Sequence, residues 1–162
     1  MMFYSDHVDA ATELLELYRG KKLTIATAES CTGGMIGALL TDIAGASDVF
    51  QGGFITYSNE LKHILLGVNV DLLNEYGAVS DEVACAMAEG AAMRTGADYA
   101  VAVTGVAGPG GGTAQKPVGL VYVAVAGHGK IICKKINTVG SRQQVRSGSV
   151  ASALNMLRDI AS

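Results

Sequence analysis

The stretch L-T-I-A-T-A-E-S-C-T-G-G-M-I-G-A-L-L, residues 23–40, decides the reading of the fold. Leu23 to Ala28 is a short β-prone run, whereas Thr32 to Ile43 carries Met35, Ile36, Leu39 and Leu40 at helical spacing. Gly33 and Gly34 open that helix, and Glu29, Ser30 and Cys31 occupy the tight turn between the two elements. A strand that turns abruptly into a glycine-opened helix belongs to an α/β layer architecture.

The chain on either side repeats this grammar. Val8, Ala11, Leu14, Leu15 and Tyr18 recur at helical spacing from Asp6 to Arg19, and Gly20 stops the run. Phe54 to Tyr57 reads as a second strand, followed by a short helix that Ser58 or Asn59 caps and Gly67 ends. Ser80 caps a longer helix reaching about Thr95, with Val83, Ala84, Met87, Ala88 and Ala91 on one face. Tyr99 to Thr104 is a third strand, Val118–Ala126 and Lys130–Asn137 form a hairpin across Gly127-His128-Gly129, and Ser141 to Ile160 is the last helix. The order α-β-α-β-α-α-β-β-β-α predicts a three-layer α/β/α sandwich with a mixed sheet, because the hairpin supplies an antiparallel pair.

Composition narrows the function classes. The 162 residues are 49% hydrophobic and 17% charged, which suits one domain spanning 1–162 and excludes disorder. Twelve basic against fifteen acidic residues, a net charge of -3, leave no basic footprint for nucleic acid. No apolar run approaches a membrane span, and the first ten residues lack a leader pattern, so the expectation is a soluble cytoplasmic protein. Cys31, Cys85 and Cys133 form no C-x-x-C pair and suit a reducing compartment. No H-E-x-x-H, paired Cys/His spacing or Asp-rich calcium loop occurs, so the reactive site is expected to use neither metal nor cofactor.

Three loops follow strands, and in open α/β sheets ligands gather beyond the carboxyl ends of strands. They are Glu29 to Gly34, Tyr57-Ser58-Asn59 and Thr104 to Pro109. Ser30 either presents its hydroxyl as a nucleophile, beside unpaired backbone N–H groups near Cys31, Thr32, Gly33 and Gly34, or merely caps the helix. Cys31 is a rival nucleophile or a small buried residue. A serine needs a base, and His7, His63 and His128 are poorly placed for it. Lys62 lies in the first turn of a helix, where the dipole disfavours a second positive charge and partial burial lowers the pKa. Tyr57 either relays a proton or is an edge-strand aromatic. The run G-V-A-G-P-G-G-G (105–112) fails the phosphate-loop tests and reads as a substrate-shaping loop with Thr104 at its root and Gly105 and Gly108 within it. Arg142 and Arg146, four apart on the last helix, either clamp a phosphate or form a solvated face.

Taken together, T-A-E-S-C-T-G-G (27–34), F-I-T-Y-S-N-E-L-K (54–62), G-A-V-S (77–80), T-G-V-A-G-P-G-G-G (104–112), K-P-V-G (116–119) and the R-x-x-x-R of Arg142 and Arg146 resemble the CinA C-terminal domain family, over about Leu14 to Leu157. Stand-alone members of that family include nicotinamide-nucleotide amidases, which hydrolyse the carboxamide of nicotinamide mononucleotide to nicotinate mononucleotide and ammonia. The resemblance implies Ser30 as nucleophile, Lys62 as its activating base and Tyr57 as an assisting hydroxyl. It implies substrate contacts from Thr104, the loop through Gly108 and Arg142. Glu29 is read as complementing the substrate's pyridinium charge or supporting the turn. Ser141 departs from the family pattern, which commonly has an acidic residue there. Longer members carry a further N-terminal domain for which this sequence has no room, and a homodimer is expected by analogy. Two competing readings stand beside this one: the same hydrolysis by Cys31, and a catalytically silent nucleotide-sensing module.

Overall fold

A computed structural model describes residues 4–162. The described chain runs α1 (Ser5–Lys21), β1 (Ile25–Glu29), α2 (Met35–Thr41), a 3₁₀ turn (Ala46–Asp48), β2 (Phe50–Ile55), α3 (Asn59–Leu66), α4 (Val70–Tyr76), α5 (Asp81–Thr95), β3 (Tyr99–Gly105), β4 (Leu120–Gly127), β5 (Lys130–Asn137) and α6 (Arg142–Ala161). The strands form one sheet in the order β2-β1-β3-β4-β5. β1 pairs in parallel with β2 and β3, whereas β3–β4 and β4–β5 are antiparallel, so the expected mixed sheet is present.

Strand alternation builds two unlike layers. Val101, Val103, Val121, Val123 and Val125 point to one face, where they pack with Leu14, Leu15, Leu39, Leu40, Leu154 and Leu157 of α1, α2 and α6. Ala26, Ala28, Ala100, Ala102, Ala124 and Ala126 point to the other, against Val83, Ala84, Met87, Ala88 and Ala91 of α5. Alanines on both sides let α5 lie close to the sheet. Its Gly90 continues this: a Cβ there would stand 2.0 Å from the Leu66 carbonyl oxygen, so the C-terminal end of α3 rests directly on the α5 backbone.

Local signals set the element ends. Ser58, Ser80 and Ser141 each accept a backbone N–H at the start of α3, α5 and α6, and Ser141 completes a capping box with Gln144. His128 and Gly129, both at positive φ, make the two-residue turn between β4 and β5. Several boundaries differ from the sequence reading. β2 begins at Phe50, because the glycines at 52 and 53 hide a strand from propensity while one of them gives β1 room: a Cβ on Gly53 would stand 2.1 Å from Thr27 Oγ1. α2 starts at Met35 because residues 31–34 are turn, and β4 starts at Leu120. Helix α4, absent from the sequence reading, is only seven residues long and is capped by Asn69.

The connection from β1 to β2 runs through α2 on the valine face, and that from β2 to β3 runs through α3–α5 on the alanine face. The chain therefore departs from β1 to opposite sides, and the carboxyl end of β1 is a topological switch point with a crevice beside it.

Candidate active site

Ser30 is the first residue past β1 and continues the strand's alternation through Ala26 and Ala28 to the alanine face. Its N–H donates to the Val103 carbonyl of β3, 3.0 Å away, so the backbone at this position is held by the neighbouring strand. The side chain is 8% exposed.

Lys62 Nζ donates to Ser30 Oγ at 3.0 Å and to the Thr56 carbonyl at 2.8 Å, with the Tyr57 carbonyl at 3.4 Å. The lysine is 1% exposed, and among the described residues no carboxylate lies within ion-pair distance of it. A buried ammonium without a counter-charge is costly, and desolvation lowers the Lys62 pKa to about 8. The position follows from α3: Ser58 caps the helix, Lys62 N–H bonds the Ser58 carbonyl, and the one-turn offset aims the side chain back over the β2 end.

Ser30, Cys31, Tyr57, Lys62, Ala78, Val79, Thr104, Gly105, Ala107 and Arg142 line one cavity of about 180 Å³. Thr104, at the end of β3, donates its hydroxyl to the Ala78 carbonyl at 2.8 Å and so holds the 77–80 segment as a wall. Tyr57 is 64% exposed at the rim, where Arg142 Nη2 reaches its hydroxyl at 3.4 Å. Arg142 Nη1 donates to the Gly108 carbonyl at 2.9 Å, joining α6 to the glycine-rich loop. Arg142 also borders a neighbouring groove of about 610 Å³ with Gly33, Gly34, Met35, Ala38, Gln143 and Arg146.

Other sequence candidates have different surroundings. Glu29, one residue before Ser30, faces the opposite side of the sheet. Its carboxylate accepts the N–H groups of Gly34, Ile36 and Gly37 at the positive end of α2 and so braces the turn. Arg146 donates to the carbonyls of Cys31 and Thr32 at 3.1 and 3.0 Å and ties the turn to α6. Thr32 is fully buried, and its hydroxyl has no hydrogen-bond partner among the described residues. Gly33 and Gly34 both adopt positive φ, and the Gly33 N–H returns to the Ser30 carbonyl. Cys31 lines the cavity, but burial pushes its thiol up to about 11, which works against a thiolate. The histidines lie elsewhere: His63 Nδ1 meets the Val68 carbonyl, and His128 stands beside Asp98.

The sequence reading gave no individual role to the Thr56 carbonyl, Ala78 or Val79, and it held Ala107 only as part of the loop through Gly108. Small apolar side chains and backbone oxygens carry no chemical signal, and only the quoted G-A-V-S run marked this wall.

The sequence profile of the CinA C-terminal domain matches residues 7–161. A CinA-like protein of Geotalea daltonii is 48% identical over 157 residues, and one of Synechococcus sp. is 50% identical over 158. These alignments cover 97% and 96% of this chain but 38% of each relative, so the chain spans well under half the length of those proteins. Among solved structures, the competence/damage inducible protein CihA from Agrobacterium tumefaciens superposes with a TM-score of 0.98 at 42% identity, covering 100% of this chain and 99% of that one. A CinA superfamily protein from Klebsiella pneumoniae gives 0.92 at 30% identity, covering 96% and 97%.

Proposed function

The chain belongs to the CinA C-terminal domain family, and on that premise we propose that it is a nicotinamide-nucleotide amidase that converts nicotinamide mononucleotide to nicotinate mononucleotide and ammonia. The observation that carries this reading is the 3.0 Å contact between the buried Lys62 amine and the Ser30 hydroxyl at the floor of a cavity. An unpaired buried lysine is expensive to maintain, and a neutral amine beside an alcohol is the pairing that nucleophilic catalysis needs.

A neutral amine has two N–H bonds and one lone pair. The Thr56 and Tyr57 carbonyls accept the two N–H groups, and the lone pair is left for the Ser30 proton. Ser30 Oγ attacks the carboxamide carbon as its proton moves to Lys62. The oxyanion is held by the N–H groups of Cys31 and Thr32, since those of Gly33 and Gly34 already bond the Ser30 carbonyl and Glu29. The C–N bond then breaks, Lys62 returns the proton to the leaving nitrogen, and ammonia departs. Water, deprotonated by the same amine, hydrolyses the acyl-serine ester to the carboxylate and restores the serine. The pyridinium nitrogen of the substrate withdraws electrons and eases both attacks.

The small cavity admits the pyridine carboxamide, and the ribosyl phosphate extends past Arg142 into the adjoining groove. Arg142 at the junction contacts the phosphate; Tyr57 at the rim assists proton transfer. Ammonia release is measured with nicotinamide mononucleotide, nicotinamide riboside and nicotinamide in parallel, on the parent chain and on Ser30→Ala and Cys31→Ala. The reading requires turnover of the mononucleotide that Ser30→Ala abolishes and Cys31→Ala retains. Saturable binding without ammonia release would make the protein a nucleotide sensor, and loss of turnover confined to Cys31→Ala would move the chemistry to the thiol.

A further inference from the structure

A second cluster of reactive side chains lies outside the cavity, where the first turn of α5 meets β5. Asp81 and Cys85 are four apart on α5 and share one face, and the Cys85 thiol donates to Asp81 Oδ1 at 3.4 Å. Cys133 comes from the edge strand β5, where it pairs with Ala124 and packs against the alanine-face cluster beside Cys85. One ligand atom from each of Asp81, Cys85 and Cys133 lies within 4.8 Å of the others, and none of the three residues lines the catalytic cavity.

From this convergence we propose that Asp81, Cys85 and Cys133 bind a thiophilic divalent cation such as zinc through one carboxylate oxygen and two thiolates. The spacing suits the ion. Tetrahedral zinc with metal–sulfur bonds of about 2.3 Å places its ligand atoms about 3.5–3.8 Å apart, so the three atoms need only small side-chain rotations to close on it. The donor set suits it too, since two sulfurs and one carboxylate select a borderline-soft cation over magnesium or calcium. Asp81 is exposed and both cysteines are half-buried, so a water occupies the fourth position and the ion has a path from solvent. Binding displaces the two thiol protons to solvent. The ion cross-links the edge strand to the start of α5, one residue beyond Ser80, and stabilises the junction without entering the amidase chemistry.

The test is titration of the fully reduced, metal-stripped chain with cobalt(II) and then zinc(II). The expected result is one cobalt per chain, with thiolate charge-transfer absorption and the visible bands of a tetrahedral site, displaced by stoichiometric zinc. Cys31→Ser keeps the spectrum. Cys85→Ser, Cys133→Ser and Asp81→Asn each weaken binding at least tenfold, and the zinc-dependent rise in melting temperature disappears with them. A sulfur shell at about 2.3 Å in zinc X-ray absorption confirms the ligands independently of folding. Absence of stoichiometric binding, or binding that survives the Cys85→Ser/Cys133→Ser double variant, overturns the proposal. Either result leaves the ammonia-release assay untouched.

Discussion

The two faces of the sheet are built from different side chains and do different work. The valine face packs branched residues of β3 and β4 against leucines from α1, α2 and α6, and it holds Tyr18, whose hydroxyl bonds the Leu157 carbonyl. The alanine face replaces bulk with proximity: small residues on β1, β3 and β4 meet small residues on α5, and α3 rests on Gly90. Large side chains remove much apolar area from water and supply stability. Small ones supply little transfer energy each but let backbones approach, and it is the backbone of α3 that sets Lys62 against Ser30. A one-residue change of parity separates the roles: Glu29 braces α2 on the valine face and Ser30 enters the cavity on the other.

The comparison can be broken by substitutions that affect both properties together, and the largest expected effect is on the alanine side. Lys62→Met should lower kcat at least about 10³-fold in the ammonia assay, as removal of a general base does. Its effect on stability should have the opposite sense. The folded-state pKa of Lys62 lies near 8, against about 10.5 unfolded. Below 8 the fold must bury a cation, which costs on the order of 3 kcal/mol, and this cost fades as pH rises from 8 to 10.5. The stability of Lys62→Met relative to the parent should therefore fall as pH rises through that window in denaturant titrations. A difference that does not change with pH would mean that the amine is not desolvated.

On the valine face, Leu15→Ala removes a side chain 1% exposed in α1 and should cost about 2–5 kcal/mol while kcat stays within about twofold. A large drop in kcat would show that bulk packing also positions the site. Gly90→Ala sharpens the contrast from the other side. Its methyl must displace the end of α3, with a loss of about 1–3 kcal/mol and a fall in kcat larger than that of Leu15→Ala. The mildest intervention is pH, which alters no side chain: on the amidase reading, kcat/KM of the parent chain should rise about tenfold per pH unit below 8 and level off above it. A flat profile between pH 6 and 9 would remove Lys62 as the base.

The layer class was readable because α1 carries its apolar residues at helical spacing, β1 is a β-prone run that gives way to a glycine-opened helix, Ser80 caps α5, and the glycine-bounded hairpin announced an antiparallel pair. α4 was not, since seven residues with one cap give too little periodicity. The first strand pair was legible only in part, because Gly52 and Gly53 weaken β propensity, although Gly53 serves the close approach of β1. Ser30, Tyr57, Lys62 and Thr104 all stood out as polar residues at strand ends or a helix start. The division of labour between the arginines did not. Arg142 and Arg146 have the same spacing signal, yet one reaches the cavity rim and the other ties down the Ser30 turn.

Periodicity, caps and glycines are local properties, so the chain alone specified the order of the helices and strands other than α4, the strand-end turns and the residue types available for chemistry. Which face each strand-end residue enters depends on register against neighbouring strands, and the distance from an amine on α3 to an alcohol after β1 depends on how closely two backbones can lie. Burial then decides the charge of Lys62, because desolvation is a property of everything around the group and is absent from its immediate sequence.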